Sequence, residues 1–391
     1  MEEQDRLTRF RTTLMTAAID RPHLFPFQPL STSPWIAMSL MQKAIRRGDS
    51  HTALSAAASL LQMAPQRLWR RIGCIAFEDI GVADLECVGL VTAALTSKAM
   101  RKQLGGEWAV ASLVVEKMAN ANKNRSADDL LMTVEQMPHL ATERSLFATM
   151  PEQRLREIIL GCPDLHKRAL ALWYLMGTTR WSSNVLAERK GNPNLAFATL
   201  AEHGVSPTVM AITEMGFRKT GEMLAPFMAL LTLENGIRGK AVRNDTLPTL
   251  GLAGNIPSYA LDTYTREGKQ AFTRFLNTKA ETASWINENR PKGARLRLLG
   301  ELVFRVEGGQ LIQRSAGPAA DALRKQYEVG CLGTFPEEAT TLLTLMRKDI
   351  GQLNACRAQV MWGAKKRLKQ QVPSRGFWKW GSAVLQGEIF T

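Results

Sequence analysis

Apolar residues recur at three- and four-residue spacing along most of the chain, the period of helices with one buried face. Leu7, Phe10, Leu14 and Ala18 form one such stripe within residues 4–18. Trp35, Met38, Met41 and Ile45 form a second, opened by Ser33 as N-cap and Pro34 at the first helical position. Ile72, Ile75, Ala76 and Ile80 form a third, closed by Gly81 in a left-handed conformation. Asp84 is then the N-cap of the next helix, with Glu86 in its first turn. The same reading predicts helices at 51–63, 66–80, 85–99, 106–122 and 126–137. It continues with 151–160, 164–176, 193–203, 206–217 and a helix from Pro226 to Leu233. A third run gives 263–276, 279–288, 293–306, 318–329, 336–347 and 349–369. Leu302 to Gln313 also fits a hairpin around Gly308-Gly309, but Leu296, Leu299, Val303 and Val306 favour a helix.

Helix followed by short turn, repeated throughout, predicts an all-α protein of multi-helix bundle segments and not a parallel sheet. The expected organisation is an N-terminal helix and linker (1–32), a helical domain (33–140) and a second helical segment (150–235). A Gly-, Asn- and Pro-rich loop (236–257), a third helical segment (258–370) and a basic aromatic tail (371–391) complete it. Pro138 and Pro151 bracket an expected linker between the first two helical segments.

Charge narrows the function. The 391 residues carry a formal net charge of +14, which points to a polyanionic partner, nucleic acid before anionic membrane. No apolar run approaches the roughly 20 residues of a membrane span. The opening Met1-Glu2-Glu3 begins no signal pattern, so a cytoplasmic protein is expected. Cys74, Cys87, Cys162, Cys331 and Cys356 are scattered, without any C-x-x-C, and read as reduced thiols. His23, His51, His139, His166 and His203 show no ligand spacing, so neither a metal nor another cofactor is expected.

Candidate chemistry is sparse. Pro163-Asp164 with Glu188-Arg189-Lys190 matches the PD…ExK pattern of metal-dependent nucleases, which needs two carboxylates on adjacent strands. Asp164 equally suits a helix N-cap. Asp262, Thr265, Arg266 and Lys269 could form an anion site at a helix start, or Asp262 or Thr265 could simply cap that helix. The C-terminal run Lys365, Lys366, Arg367, Lys369, Arg375 and Lys379 interleaves with Phe377, Trp378 and Trp380, with Trp362 upstream. Such a run suits phosphate neutralisation with base stacking. Lys123 and Arg125 are a second nucleic-acid candidate.

Three pieces of the first hundred-odd residues carry a family resemblance. They are Ser39 to Asp49 (SLMQKAIRRGD), Phe77 to Asp84 (FEDIGVAD) and Lys123 to Ala127 (KNRSA), with Leu68-Trp69-Arg70-Arg71 between the first two. In this order they resemble the C-terminal collar region of the RarA/MgsA family, clamp-loader-like AAA+ ATPases linked to DNA replication and recombination. The resemblance implies a helical oligomerisation module and hence a homo-oligomer or a partner protein. It does not bring ATP hydrolysis, because only 32 residues precede the collar-like part and no G-x-x-x-x-G-K-[ST] loop occurs. The expected function is a non-catalytic, DNA-associated scaffold. The alternatives are a metal-dependent nuclease using Asp164, Glu188 and Lys190, or a collar subunit serving a separate ATPase.

Overall fold

A computed structural model describes residues 7–20, 27–180, 185–239 and 241–371, with the last helix given as backbone only from residue 364 onward. The protein is all-α: nineteen α-helices and four short strands lie among the described residues.

The first fourteen helices share one apolar core running from Leu7 to Leu261, which Leu323 joins from much later in the chain. They begin with α1 (Thr8–Ile19), α2 (Pro34–Arg46), α3 (Ser50–Met63), α4 (Pro65–Ile75), α5 (Leu85–Thr96), α6 (Lys98–Gln103) and α7 (Glu107–Asn120). They continue with α8 (Ser126–Gln136), α9 (Ala141–Thr149), α10 (Glu152–Gly161), α11 (Leu165–Met176), α12 (Pro193–Glu202), α13 (Pro207–Thr220) and α14 (Leu224–Leu231). Side-chain caps fix several starts. Ser33 Oγ accepts from Ile36 N at 3.3 Å, Asp84 Oδ1 from Cys87 N at 2.9 Å, and Asp164 Oδ1 from His166 N at 2.8 Å.

Three sequence expectations change here. The segment between Pro138 and Pro151 is not a linker: it holds α9, whose Phe147 is buried in the common core. The 66–80 helix is not uniform, because Ala76–Ile80 widens into a π-turn. Gly81 has positive φ (52°), but with ψ at −137° it lies outside the left-handed helical region. A Cβ there would meet Asn124 O at 2.6 Å, so the position serves a close approach of two backbone segments.

A second, smaller core is built from α15 (Arg266–Leu276), α16 (Glu281–Asn289), α17 (Lys292–Val303) and α19 (Pro336–Gln371). Thr265, not Asp262, is the side-chain N-cap of α15, its Oγ1 accepting from Gly268 N at 3.0 Å. α17 ends in a second π-turn, Phe304–Gly308. The two helices expected at 336–347 and 349–369 are one helix of 36 residues, about 54 Å long at 1.5 Å per residue. Asp349 does not cap a helix start within it. Its Oδ2 instead accepts from Thr282 N and Oγ1, both at 2.8 Å, and so caps α16 from outside.

Between the two cores the expected loop 236–257 is partly paired. β1 (Ala241–Arg243) runs antiparallel to β4 (Arg314–Ala316), and β2 (Leu252–Ala253) pairs with β3 (Ile256–Pro257). α18 (Pro318–Gly330) then packs on α8 of the first body. No helix among the described residues is long and apolar enough to cross a membrane.

Candidate nucleic-acid interface

The sequence candidates separate once they are placed. Lys365, Lys366, Arg367 and Lys369 fall on the backbone-only end of α19. Arg375, Phe377, Trp378, Lys379 and Trp380 lie outside the described residues, as does His23. Trp362, just before the basic run, is exposed.

Lys123 and Arg125 are not surface cations, which corrects the reading of them as phosphate contacts. Lys123 is fully buried and its Nζ donates to Ala119 O at 2.9 Å and Ala121 O at 2.8 Å. Burial lowers its pKa to about 8, against the pull of Asp79. Arg125 Nη1 donates to Asp79 Oδ1 at 2.6 Å and Glu78 Oε1 at 2.9 Å, and its Nη2 pairs with Asp128. Arg46 meets the same carboxylates from the opposite side, Nε to Asp79 Oδ1 at 2.7 Å and Nη2 to Glu78 Oε1 at 2.6 Å. Gln42 Nε2 donates to Asp79 Oδ2 at 3.0 Å. The Phe304 ring lies 5.4 Å from the Arg46 guanidinium carbon and 5.0 Å from that of Arg125. Arg46, Glu78, Asp79 and Arg125 come from the three pieces that carry the family resemblance, so those pieces meet in one buried ion network.

This network also joins the two bodies. Arg46 Nη1 donates to Gly308 O at 2.7 Å, across 262 residues of sequence. The two π-turns therefore face each other across Arg46. One supplies Glu78 and Asp79, the other Phe304 and the Gly308 carbonyl. Lys43 pairs with Asp262, which takes Asp262 out of any anion site, and Ser39 Oγ donates to the same carboxylate at 2.7 Å. Arg266 and Lys269 remain exposed on α15.

Beside the network a small cavity of about 30 Å³ is lined by Asn124, Asp129, Arg305, Arg314, Arg324 and Glu328 together with the Phe304 and Tyr327 rings. It has room for about two waters and not for a nucleotide. Its arginines are already paired: Asp245 holds Arg314 Nε at 3.0 Å and Arg324 Nη1 at 2.6 Å, and Glu301 holds Arg305 at 2.6 Å.

The network makes stability depend on pH in two opposite ways. Burial opposes charge on Glu78, but Arg46 and Arg125 outweigh it and hold the carboxyl down at about 2. Its contribution is complete above the unfolded value of 4.5 and is lost as pH falls toward 2. Burial pushes Asp129 up to about 6, only partly offset by Arg125 and Arg324. The native state thus keeps a proton that the unfolded chain releases near 3.8, and the stability tied to it is lost as pH rises to about 6. Asp129→Asn is therefore expected to gain on the parent by about 2–3 kcal/mol between pH 4 and pH 7. Urea titrations at both pH values measure this, and an unchanged difference would refute it.

The remaining candidates are structural where they are described. Asp164 caps α11 and Glu188 is exposed in the irregular segment before α12, so the strand pair of a PD…ExK site is not formed around them. His139 and His166 stack edge to face with centroids 6.4 Å apart, and His203 Nε2 faces Arg168 Nη1 at 3.2 Å. No group of three His, Cys, Asp or Glu side chains among the described residues is arranged to hold a metal. The five cysteines are free thiols.

A cationic site that sequence reading did not single out lies on the first body. The end of α3, the outer face of α4, the α5–α6 junction and the end of α13 enclose an open groove of about 430 Å³. Its apolar lining is Leu61, Pro65, Leu95 and Trp69. Arg70, Lys98 and Lys219 stand exposed at the rim, the Arg70 side chain with 66% of its surface accessible. Arg70 makes a long 3.3 Å contact with Glu222, and Lys219 Nζ donates to Thr96 O at 3.2 Å. Both contacts are exposed or half-exposed and weak enough to exchange for a phosphate. Arg67, one turn before Arg70, lies 4.7 Å from the centroid of the half-exposed Trp35 ring. The only sequence hint was the Leu68-Trp69-Arg70-Arg71 run, because Lys98 and Lys219 lie far from it in the chain. No family model matches this sequence, and no curated protein or solved structure is significantly similar to it.

Proposed function

We propose that the protein is a nucleic-acid-binding scaffold, with DNA the favoured ligand and no catalytic step of its own. The observation that carries this reading is the convergence of Arg70, Lys98 and Lys219 from three separate parts of the chain around one apolar-floored groove. The net charge of +14 supports it, since a surplus of that size favours polyanions at long range. The basic run Lys365 to Lys369 on α19 is a second contact region in this proposal, and the collar-like resemblance adds self-association or a partner chain.

The test is affinity for unlabelled-sequence oligonucleotides as a function of salt. Binding is expected to weaken steeply as salt rises, because released counterions drive it. Changing Arg70, Lys98 and Lys219 together to Ala should lower the slope of log affinity against log salt by roughly 2 on single strands, at about 0.7 per lost contact. The fold should persist, since exposed substitutions usually shift stability by less than about 0.5 kcal/mol. Absence of binding at low salt would sink the proposal. A full slope in the triple variant would move the site to the α19 run, where the Lys365, Lys366, Arg367 and Lys369 quadruple Ala variant tests it. Neither ATP nor the bound strand should be hydrolysed.

A further inference from the structure

Resting on the nucleic-acid reading, we propose that the groove between α4, α5 and α13 seats an unpaired nucleobase, with the adjoining phosphates held at Arg70, Lys98 and Lys219. The ligand would then be single-stranded, not duplex.

Size is the first argument. A volume of about 430 Å³ lies in the range of sites that enclose a small organic group. A helix of 10–12 Å diameter, whether from a partner protein or as part of a duplex-reading surface, needs a longer trough. A base still paired in a duplex is unable to enter, and extruding it is costly.

The lining is the second argument. Cations at the rim around an apolar floor match a nucleotide, whose charge sits on the backbone and whose flat apolar face sits on the base. Inorganic phosphate would leave the Leu61, Pro65 and Leu95 floor unused. Trp69 acts as a wall here and not as a free stacking platform. It is only 8% exposed, and Arg101 covers one face with its guanidinium carbon 4.1 Å from the ring centroid.

Glu107 is the third argument. Its Oε2 accepts from Trp69 Nε1 and from Arg101 Nε, the latter at 3.1 Å. Its Oε1 is buried and accepts no hydrogen bond among the described residues, while the side chain, 23% exposed, is part of the groove lining. A buried carboxylate oxygen left in that state favours a ligand that brings an N–H donor. Every nucleobase carries one on its pairing edge, and a phosphate or a carboxylate carries none.

Two ligand series test this on the full chain without relying on a variant. An eight-nucleotide single strand is compared with a uniformly abasic strand of the same phosphate number, and with a blunt duplex at matched phosphate concentration and salt. The abasic strand is expected to bind at least about fivefold more weakly, with the salt slope unchanged. The duplex should also bind more weakly than the single strand. Leu61→Trp, a filling change at a half-buried floor position, should erase the advantage of the base-bearing strand while keeping the salt slope. Equal affinity for the base-bearing and abasic strands, or tighter binding of the duplex, would overturn this inference and leave the broader reading standing. No binding of any of the three at low salt would remove both.

Discussion

Asp79→Ala is expected to lower the free energy of unfolding by about 3–5 kcal/mol, the cost of removing one partner from a buried ion pair. Asp79 is fully buried and accepts from Arg46 Nε, Arg125 Nη1 and Gln42 Nε2. Alanine would leave two guanidiniums and an amide facing a cavity, with only Glu78 and Asp128 to share their charge. The Phe304 ring lies against both guanidiniums, Arg46 also donates to Gly308 O and Arg125 to Asp128, so neither can swing into solvent cheaply. A urea titration reads the change as a lower midpoint at unchanged slope. Asp79→Asn keeps the shape and one acceptor oxygen and should lose less. If Asp79→Ala costs under about 1 kcal/mol, the network does not hold the two bodies together.

Arg357→Ala is the second large effect, again about 3–5 kcal/mol. Arg357 is fully buried in α19 and grips Glu307 with both terminal nitrogens, Nη1 to Oε1 at 3.0 Å and Nη2 to Oε2 at 2.7 Å. Its Nε donates to Leu261 O at 3.0 Å. Removing the guanidinium strands the Glu307 carboxylate, 3% exposed, without its partner. The double change Arg357→Met with Glu307→Gln should cost less than Arg357→Ala alone, because it leaves no buried net charge. A double-mutant cycle measured by denaturation gives the coupling. Strictly additive losses would show that the pair is not coupled.

The helices were legible because their signals are local. Ser33, Asp84, Asp164 and Thr265 each sit within three residues of the N–H they accept. The apolar stripes through Leu14, Met41 and Ile75 needed only their own period. What sequence reading missed depends on distant partners. Lys123 and Arg125 read as surface cations because a charged side chain is normally solvated, and nothing near them announces that Glu78 and Asp79 will neutralise Arg125. The break expected between 347 and 349 does not occur, and the role of Asp349 stays hidden because its partner, Thr282, lies 67 residues away. Helix α9 was hidden by the prolines on either side of it. The groove was invisible for the same reason as the network: Arg70, Lys98 and Lys219 line one groove only when α4, α6 and α13 pack. The short β1–β4 pairing likewise joins two segments with nothing in common until α18 is in place.

The meeting of the two π-turns across Arg46 has a consequence for the order of assembly. Arg46, Glu78, Asp79, Arg125 and Asp128 all lie in the first third of the chain, so the emerging first body can neutralise its own buried charges as it collapses. The Gly308 carbonyl and the Phe304 ring arrive only after some 180 further residues have been made, and closing so long a connection is slow. Docking of the second body is thus a late event onto a surface where Arg46, Arg125, Glu78, Asp79 and Asp128 are already paired, while Lys43 and Arg46 Nη1 still await Asp262 and Gly308 O.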